Sequence, residues 1–260
     1  TKDMMKIALA AHGKTYATSG NFNNHIGMPL NLANLPEYMQ FAVFEMGMNH
    51  AGEISHLTRM VRPHVAIITN VEAVHMEFFD SVEGIADAKA EIFEGVEPGG
   101  VAVLNAHNAH FIRLKQKAEN HGLNVISVGR DKTADCHLVS AGKYVAAEIG
   151  GKTMEYHLPA LGAHMVANSL LVLAAAHALG LFVPASAEAL TEFQEPAGRG
   201  RVQHITVDGK EIILIDDSYN ASPASMRAAF AKTQLLWEDN GSTGQKVAAL
   251  GDMLELGSQS

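Results

Sequence analysis

Short apolar runs alternate with longer stretches of helical periodicity along most of the 260 residues. This is the pattern of a parallel α/β sheet. The spacing of apolar positions predicts helices over Asp3–Ala11, Val82–Val96, Ala109–Asn120, His164–Leu179 and Pro223–Trp237, with a shorter one over Ala185–Phe193. Strands are predicted at Phe41–Met46, Val65–Asn70, Val101–Asn105, Asn124–Val128 and Ile212–Asp216. Several of these are continuous apolar runs, expected of strands covered on both faces. Residues His137–Leu158 differ, because Gly150-Gly151 separates two alternating runs and so predicts an antiparallel hairpin appended to the main sheet.

The pattern changes at Pro196-Ala197-Gly198. A hairpin comes next, with Asp208-Gly209 turning between Val202–Val207 and Ile212–Asp216, and then a helix and a buried strand at Lys246–Leu250. The fold expected is therefore α/β, a mostly parallel sheet flanked by helices over residues 1–197. Residues 198–260 would begin a second Rossmann-like α/β domain, too short to hold a full complement of strands.

Composition narrows the chemistry. The chain is 47% hydrophobic and 18% charged, which allows a sizeable core and excludes a disordered tail or a small disulfide scaffold. Nineteen Lys and Arg against 28 Asp and Glu give a net charge of −9, so no nucleic-acid groove is expected. Phosphate ligands remain compatible, since backbone amides, Mg²⁺ and one or two arginines bind them locally. The single cysteine, Cys136, cannot form an internal disulfide, and a reducing cytoplasm is the expectation. No apolar run reaches membrane-spanning length.

In open α/β sheets ligands bind beyond the carboxyl ends of the strands. There the sequence places Glu45-Met46-Gly47-Met48-Asn49-His50, then Thr69-Asn70 with Glu72 and His75, then a helix carrying Asp87, Lys89 and Glu91. A carboxylate, an imidazole and an amine converging at one edge would suit a hard divalent cation bridging phosphate oxygens. Taken singly, each has a plainer reading. Glu45 is then a solvated strand-end charge, His75 one of 14 histidines, and Lys89 a lysine snorkelling off an amphipathic helix.

Eight stretches occur in one order: Asn21-Phe22-Asn23-Asn24-His25-Ile26-Gly27, Phe44-Glu45-Met46-Gly47, Thr69-Asn70-Val71-Glu72-Ala73-Val74-His75, Ala88-Lys89-Ala90-Glu91-Ile92-Phe93, Gly162-Ala163-His164 with Asn168, Gly198-Arg199, Asp216-Asp217-Ser218-Tyr219-Asn220-Ala221 and Gly251-Asp252-Met253. Together they resemble the Mur ligases, ATP-dependent amide-bond-forming enzymes of peptidoglycan synthesis. The Asp216–Ala221 and Asn21–Asn24 stretches are most similar to the branch that joins D-alanyl-D-alanine to UDP-N-acetylmuramoyl-tripeptide. Alternatives are a sibling adding another amino acid, a folylpolyglutamate synthetase relative, or an inert binding module.

The resemblance implies a central ATP-binding domain and a role for each matched position. Glu45 and His75 would hold two Mg²⁺ ions, and Lys89 would be carbamylated, an anion beside the metal where an ammonium would be repelled. Asn23, Asn24 and Asn70 would lie on the muramoyl-peptide and phosphate side. His164 and Asn168, four apart on one helix face, would sit near adenine, with Met165 replacing a polar residue common in the family. Arg199 would reach the γ-phosphate on domain closure. Asp217 would accept from the ribose hydroxyls, with Tyr219 and Asn220 shaping the nucleotide side. The enzyme would act in the cytoplasm as a monomer.

The family's phosphate loop, G-x-x-G-K-[ST], is not in these 260 residues. Thr1-Lys2-Asp3-Met4 resembles the first helical turn after it, so Lys2 is not the loop lysine, and the chain is expected to be a fragment at both ends, inactive alone.

Overall fold

The computed structural model describes residues 1–18, 20–73, 76–160, 162–239, 241 and 244–253. The elements, in order, are α1 (Lys2–Ala10), β1 (Thr15–Ala17), α2 (Gly27–Ala33), β2 (Phe41–Val43), α3 (Glu53–Val61), β3 (Val65–Ile68), α4 (Val82–Ala90) continued by a 3₁₀ turn (Glu91–Gly95), β4 (Val101–Asn105), α5 (Phe111–Asn120), β5 (Asn124–Gly129), β6 (Cys136–Ala141), β7 (Val145–Ile149), β8 (Lys152–Tyr156), α6 (Ala163–Ala178), α7 (Val183–Ala189), β9 (Arg201–Val207), β10 (Lys210–Asp216) and α8 (Pro223–Asp239).

Strands β3 to β8 form one sheet in sequence order. Its β3–β6 half is parallel, while β6–β7 and β7–β8 are antiparallel, with Gly150 and Gly151 at positive φ turning the last pair as the sequence predicted. Strands β1 and β2 pair in parallel as a separate two-stranded sheet.

Two apolar cores cover the two faces of the large sheet. One joins α1, α6 and α7 to β4–β7; the other joins α3, α4 and α5 to β3 and β4. Strand β4 serves both, Val103 facing the first core and Ala102 and Leu104 the second, all fully buried. That explains why its sequence is apolar without alternation. Helix α6 lies against β3 to β7 and buries nine residues, including Leu170 and Leu173.

Beyond Phe193 the structure is a β9–β10 antiparallel hairpin, turned at Asp208-Gly209 as expected, followed by α8. One prediction fails here. Residues 246–250 form no strand, and Val247 and Leu250 are 86% and 65% exposed. A buried strand needs neighbours for its backbone N–H and C=O groups, and among the described residues none lies beside this run.

Three elements had no sequence prediction. Strand β1 is only three residues long. Helix α2 carries Pro29 in its first turn, where a missing N–H costs nothing. Helix α3 is nine residues long and takes its N-terminal cap from elsewhere: the Glu91 carboxylate accepts from the backbone N–H of Gly52 at 2.6 Å and of Ser55 at 3.1 Å.

Candidate functional site

The carboxyl ends of β2, β3 and β4 each deliver polar side chains. After β2 the chain runs to Glu45, whose Oε1 accepts from Asn23 Nδ2 at 3.0 Å. The Gly47 N–H bonds the Asn23 carbonyl at 2.9 Å, and a Cβ on Gly47 would lie 2.9–3.0 Å from the Asn23 side chain. Glycine is therefore what lets the Asn23 loop close against Glu45. Asn24 has a different task. Its Oδ1 accepts from the Ile26 and Gly27 N–H groups at 3.1 and 2.9 Å and so begins α2.

After β3, Asn70 donates to Glu72 Oε1 at 2.8 Å and accepts from Asn108 Nδ2. Asn108 also donates to the Val71 carbonyl at 2.9 Å, and Asn105 donates to the Thr69 carbonyl at 3.3 Å. Asn105 and Asn108, at the end of β4, thus hold the loop that leads toward position 75. The sequence reading missed both, although Asn-x-x-Asn directly after an apolar run was the available signal. His75 itself lies outside the described residues.

Helix α4 sorts its charges by face. Asp87 pairs with Arg113 at 2.7 Å and Lys117 at 3.1 Å, and the hydrogen bonds from Arg113, ahead of Lys117, hold its carboxyl down at about 2. Glu91 caps α3. Both carboxylates are thus engaged within the protein. Asp87 and Glu91 line an open cleft of about 550 Å³ with Phe78, Phe79, Lys117 and His121. Lys89 is not among the residues lining that cleft. It is half-buried, has no hydrogen-bond or ion-pair partner among the described residues, and burial pushes its pKa down. No hydrogen bond or ion pair joins it to Glu45, and no three His, Cys, Asp or Glu side chains among the described residues group for a metal.

A third set of residues lies toward the start of α1. Glu45 and Arg199 both lie within electrostatic reach of residue 1, at the start of α1. His164, at the start of α6, lies within electrostatic reach of the same residue. Its pKa is lowered first by desolvation and then by Lys232, against the pull of Asp217. Lys2 turns away, donating to the Thr18 and Gly20 carbonyls. The Arg199 guanidinium lies over the Tyr219 ring, 4.1 Å from its centroid, a cation–π contact. Asn168 is half-buried one turn along α6, and Met165 is buried. Asn220 uses its Oδ1 on the next N–H, that of Ala221, at 2.8 Å.

Helices on both faces of a mostly parallel sheet, with polar groups gathered at the carboxyl ends of its strands, define an open α/β protein of the class that binds ligands at that edge. The family model of the Mur ligase middle domain matches residues 1–176. The chain is 35% identical over 263 residues to the UDP-N-acetylmuramoyl-tripeptide–D-alanyl-D-alanine ligase of Rickettsia prowazekii, covering 99% of this chain and 57% of that protein. It is 36% identical over 264 residues to the ligase of the same name from Escherichia coli K12, covering 100% and 56%. A crystal structure of MurF from Acinetobacter baumannii superposes with a TM-score of 0.88 at 32% identity, over 100% of this chain and 55% of that one. The chain belongs to the Mur ligase family, and it spans somewhat more than half the length of these relatives.

Proposed function

We propose that this chain is the nucleotide- and metal-binding part of a ligase that joins D-alanyl-D-alanine to UDP-N-acetylmuramoyl-tripeptide at the expense of ATP. The observation that carries this is the polar edge at the carboxyl ends of β2 and β3, where Asn23 holds Glu45 at 3.0 Å and Asn108 holds both Asn70 and the Val71 carbonyl. These residues come from separate loops at one edge of the fold, the edge where open α/β sheets bind their ligands. The relatives' names supply the substrates. In the reaction the γ-phosphoryl group passes to the terminal carboxylate of the tripeptide and ADP leaves. The dipeptide amine then attacks the activated carbonyl, and phosphate departs as the amide forms.

Each residue has a task in that scheme. Arg199, carried on the strap before β9, reaches the γ-phosphate. Asp217 accepts from ribose, Tyr219 and Asn220 border the nucleotide, and His164 and Asn168 face adenine. Asn23 keeps Glu45 turned inward, Asn24 shapes the loop on the muramoyl-peptide side, and Asn70 stands beside the phosphates. Glu45, His75 and Lys89 are the candidate ligands of two Mg²⁺ ions, which supply charge neutralisation when bound. Lys89 fits a carbamate on chemical grounds, because only a neutral amine adds CO₂, and burial without an acidic partner favours the neutral form. The division near residue 198 would let the two regions close over the reactants and exclude water.

No helix among the described residues is long and apolar enough to cross a membrane. With ATP and a UDP-linked acceptor as reactants, the setting proposed is the cytoplasm and the working form a monomer.

Phosphate release tests the proposal. A ligase carrying this chain behind a phosphate-binding loop should release phosphate only when UDP-N-acetylmuramoyl-tripeptide and D-alanyl-D-alanine are both present, and the 260 residues alone should not turn over. Release with meso-diaminopimelate or glutamate in place of the dipeptide would overturn the substrate assignment.

A further inference from the structure

Residues 195–200 link the two regions, yet they are fastened to one of them only. Phe193, 4% exposed, ends the first core. Two residues later the contacts change sides. Lys232 of α8, 3% exposed, donates to both Glu195 carboxylate oxygens at 2.6 and 2.5 Å and to the Gly200 carbonyl at 2.6 Å. One ammonium therefore holds both ends of the strap. Between those ends the Gly198 N–H bonds Asp216 Oδ2 at 3.0 Å, the Gly200 N–H bonds the Asp216 carbonyl at 2.8 Å, and the Tyr219 N–H bonds the Gly198 carbonyl at 2.9 Å. Among the described residues no hydrogen bond runs from this strap back to the first region. Only the exposed Gln194 separates the two anchorages.

A buried ion pair is weak evidence of stability, because desolvation offsets the attraction. A cation tied at once to a carboxylate and a carbonyl five residues apart does fix geometry, and Arg199 is the residue it frames. We infer that Lys232 is a positioning residue, clamping the strap to β9, β10 and α8 so that Arg199 travels with the second region and the chain pivots at Gln194. The Gly200 side of the clamp leaves little space, since a Cβ there would lie 3.3 Å from Lys232 Nζ. The clamp stands on these contacts alone; its catalytic consequence rests on the role proposed for Arg199.

Two readouts test it. In the 260-residue chain, Lys232→Met and Glu195→Gln should speed hydrogen exchange at the Gly198, Gly200 and Tyr219 amides at least tenfold in Lys232→Met and less in Glu195→Gln, leaving α6 amides unchanged. In the ligase carrying this chain, Lys232→Met should lower kcat tenfold or more, with KM for ATP within threefold, and Glu195→Gln should retain more of the rate. Unchanged exchange at the strap, or exchange raised equally across α6, would overturn the clamp. Faster strap exchange with unaltered kcat would overturn the positioning of Arg199. Should the unsubstituted ligase fail to turn over, the functional reading falls, and the exchange result alone decides the clamp.

Discussion

Helices α6 and α8 are nearly equal in length, 16 and 17 residues, and lie in opposite environments. Helix α6 buries nine residues, seven of them apolar in unbroken succession from Leu170 to Ala176. Helix α8 buries one, and that one is Lys232. The neighbouring hairpin repeats the contrast, with Ile212, Ile213 and Leu214 all 38–42% exposed while Val103 and Leu104 of β4 are wholly buried. Apolar burial therefore stabilises residues up to Phe193, whereas directed polar contacts attach the hairpin and helix beyond it. A region joined to the first core through the exposed Gln194 can shift as a body with those contacts intact, as the proposed closure requires.

The contrast breaks most readily in the core. Leu173→Ala should cost about 2–5 kcal/mol of unfolding free energy, through lost transfer energy and a residual cavity. Leu235→Ala on α8, 45% exposed, should stay within about 0.5 kcal/mol. Equal shifts in urea midpoint for the two would refute the contrast. Next comes Gly95, where an added Cβ would stand 2.3 Å from the Thr58 carbonyl carbon and oxygen. Because backbone has to move, Gly95→Ala should cost on the order of 1–3 kcal/mol, read from the same urea titration; a neutral result would mean α3 is not tightly seated. Glu91→Ala removes the cap of α3 and should cost about 1 kcal/mol, with faster exchange confined to amides 52–55. Exchange rising throughout α3 and α4 instead would assign Glu91 a broader role.

The smallest effect concerns acid. Asp87 has a folded pKa of about 2 against an ordinary 3.8. A lowered carboxylate pKa contributes stability that is complete above the ordinary value and lost as pH falls through the lowered one. Its pair with Arg113 is substantially exposed, 45% and 37% for the two side chains, so the contribution is modest. Arg113→Ala should leave a slightly shallower loss of stability between pH 3.8 and about 2, detected by thermal melts across that window, and an identical acid limb would show the pair to be idle.

Sequence legibility divides along the same line. The apolar strands β3 and β4, helix α6 and both glycine-turned hairpins were readable because their signals are local and repeated. Helix α3 was not, since its cap arrives from Glu91, 39 positions from Gly52. Residues 246–250 carry a strand's composition, but composition does not provide a partner. At the site, order and motif named Glu45, His75 and Lys89, while spacing alone left each with a plain alternative. The Lys232–Glu195 pair, 37 residues apart, gave no sequence signal at all, and neither did the service of Asn105 and Asn108 to the loop after β3.

Lys89 bears the most demanding assignment, as a half-buried amine with no ion-pair partner among the described residues that is proposed to bind metal. The direct measurement is carbon-13 NMR of the ligase carrying this chain, equilibrated with labelled bicarbonate, with and without Mg²⁺. A carbamylated Lys89 should give one carbamate resonance, intensified by Mg²⁺, absent from Lys89→Ala, with turnover of that variant partly rescued by a small carboxylic acid. A spectrum without that resonance, or the same resonance persisting in Lys89→Ala, would contradict it.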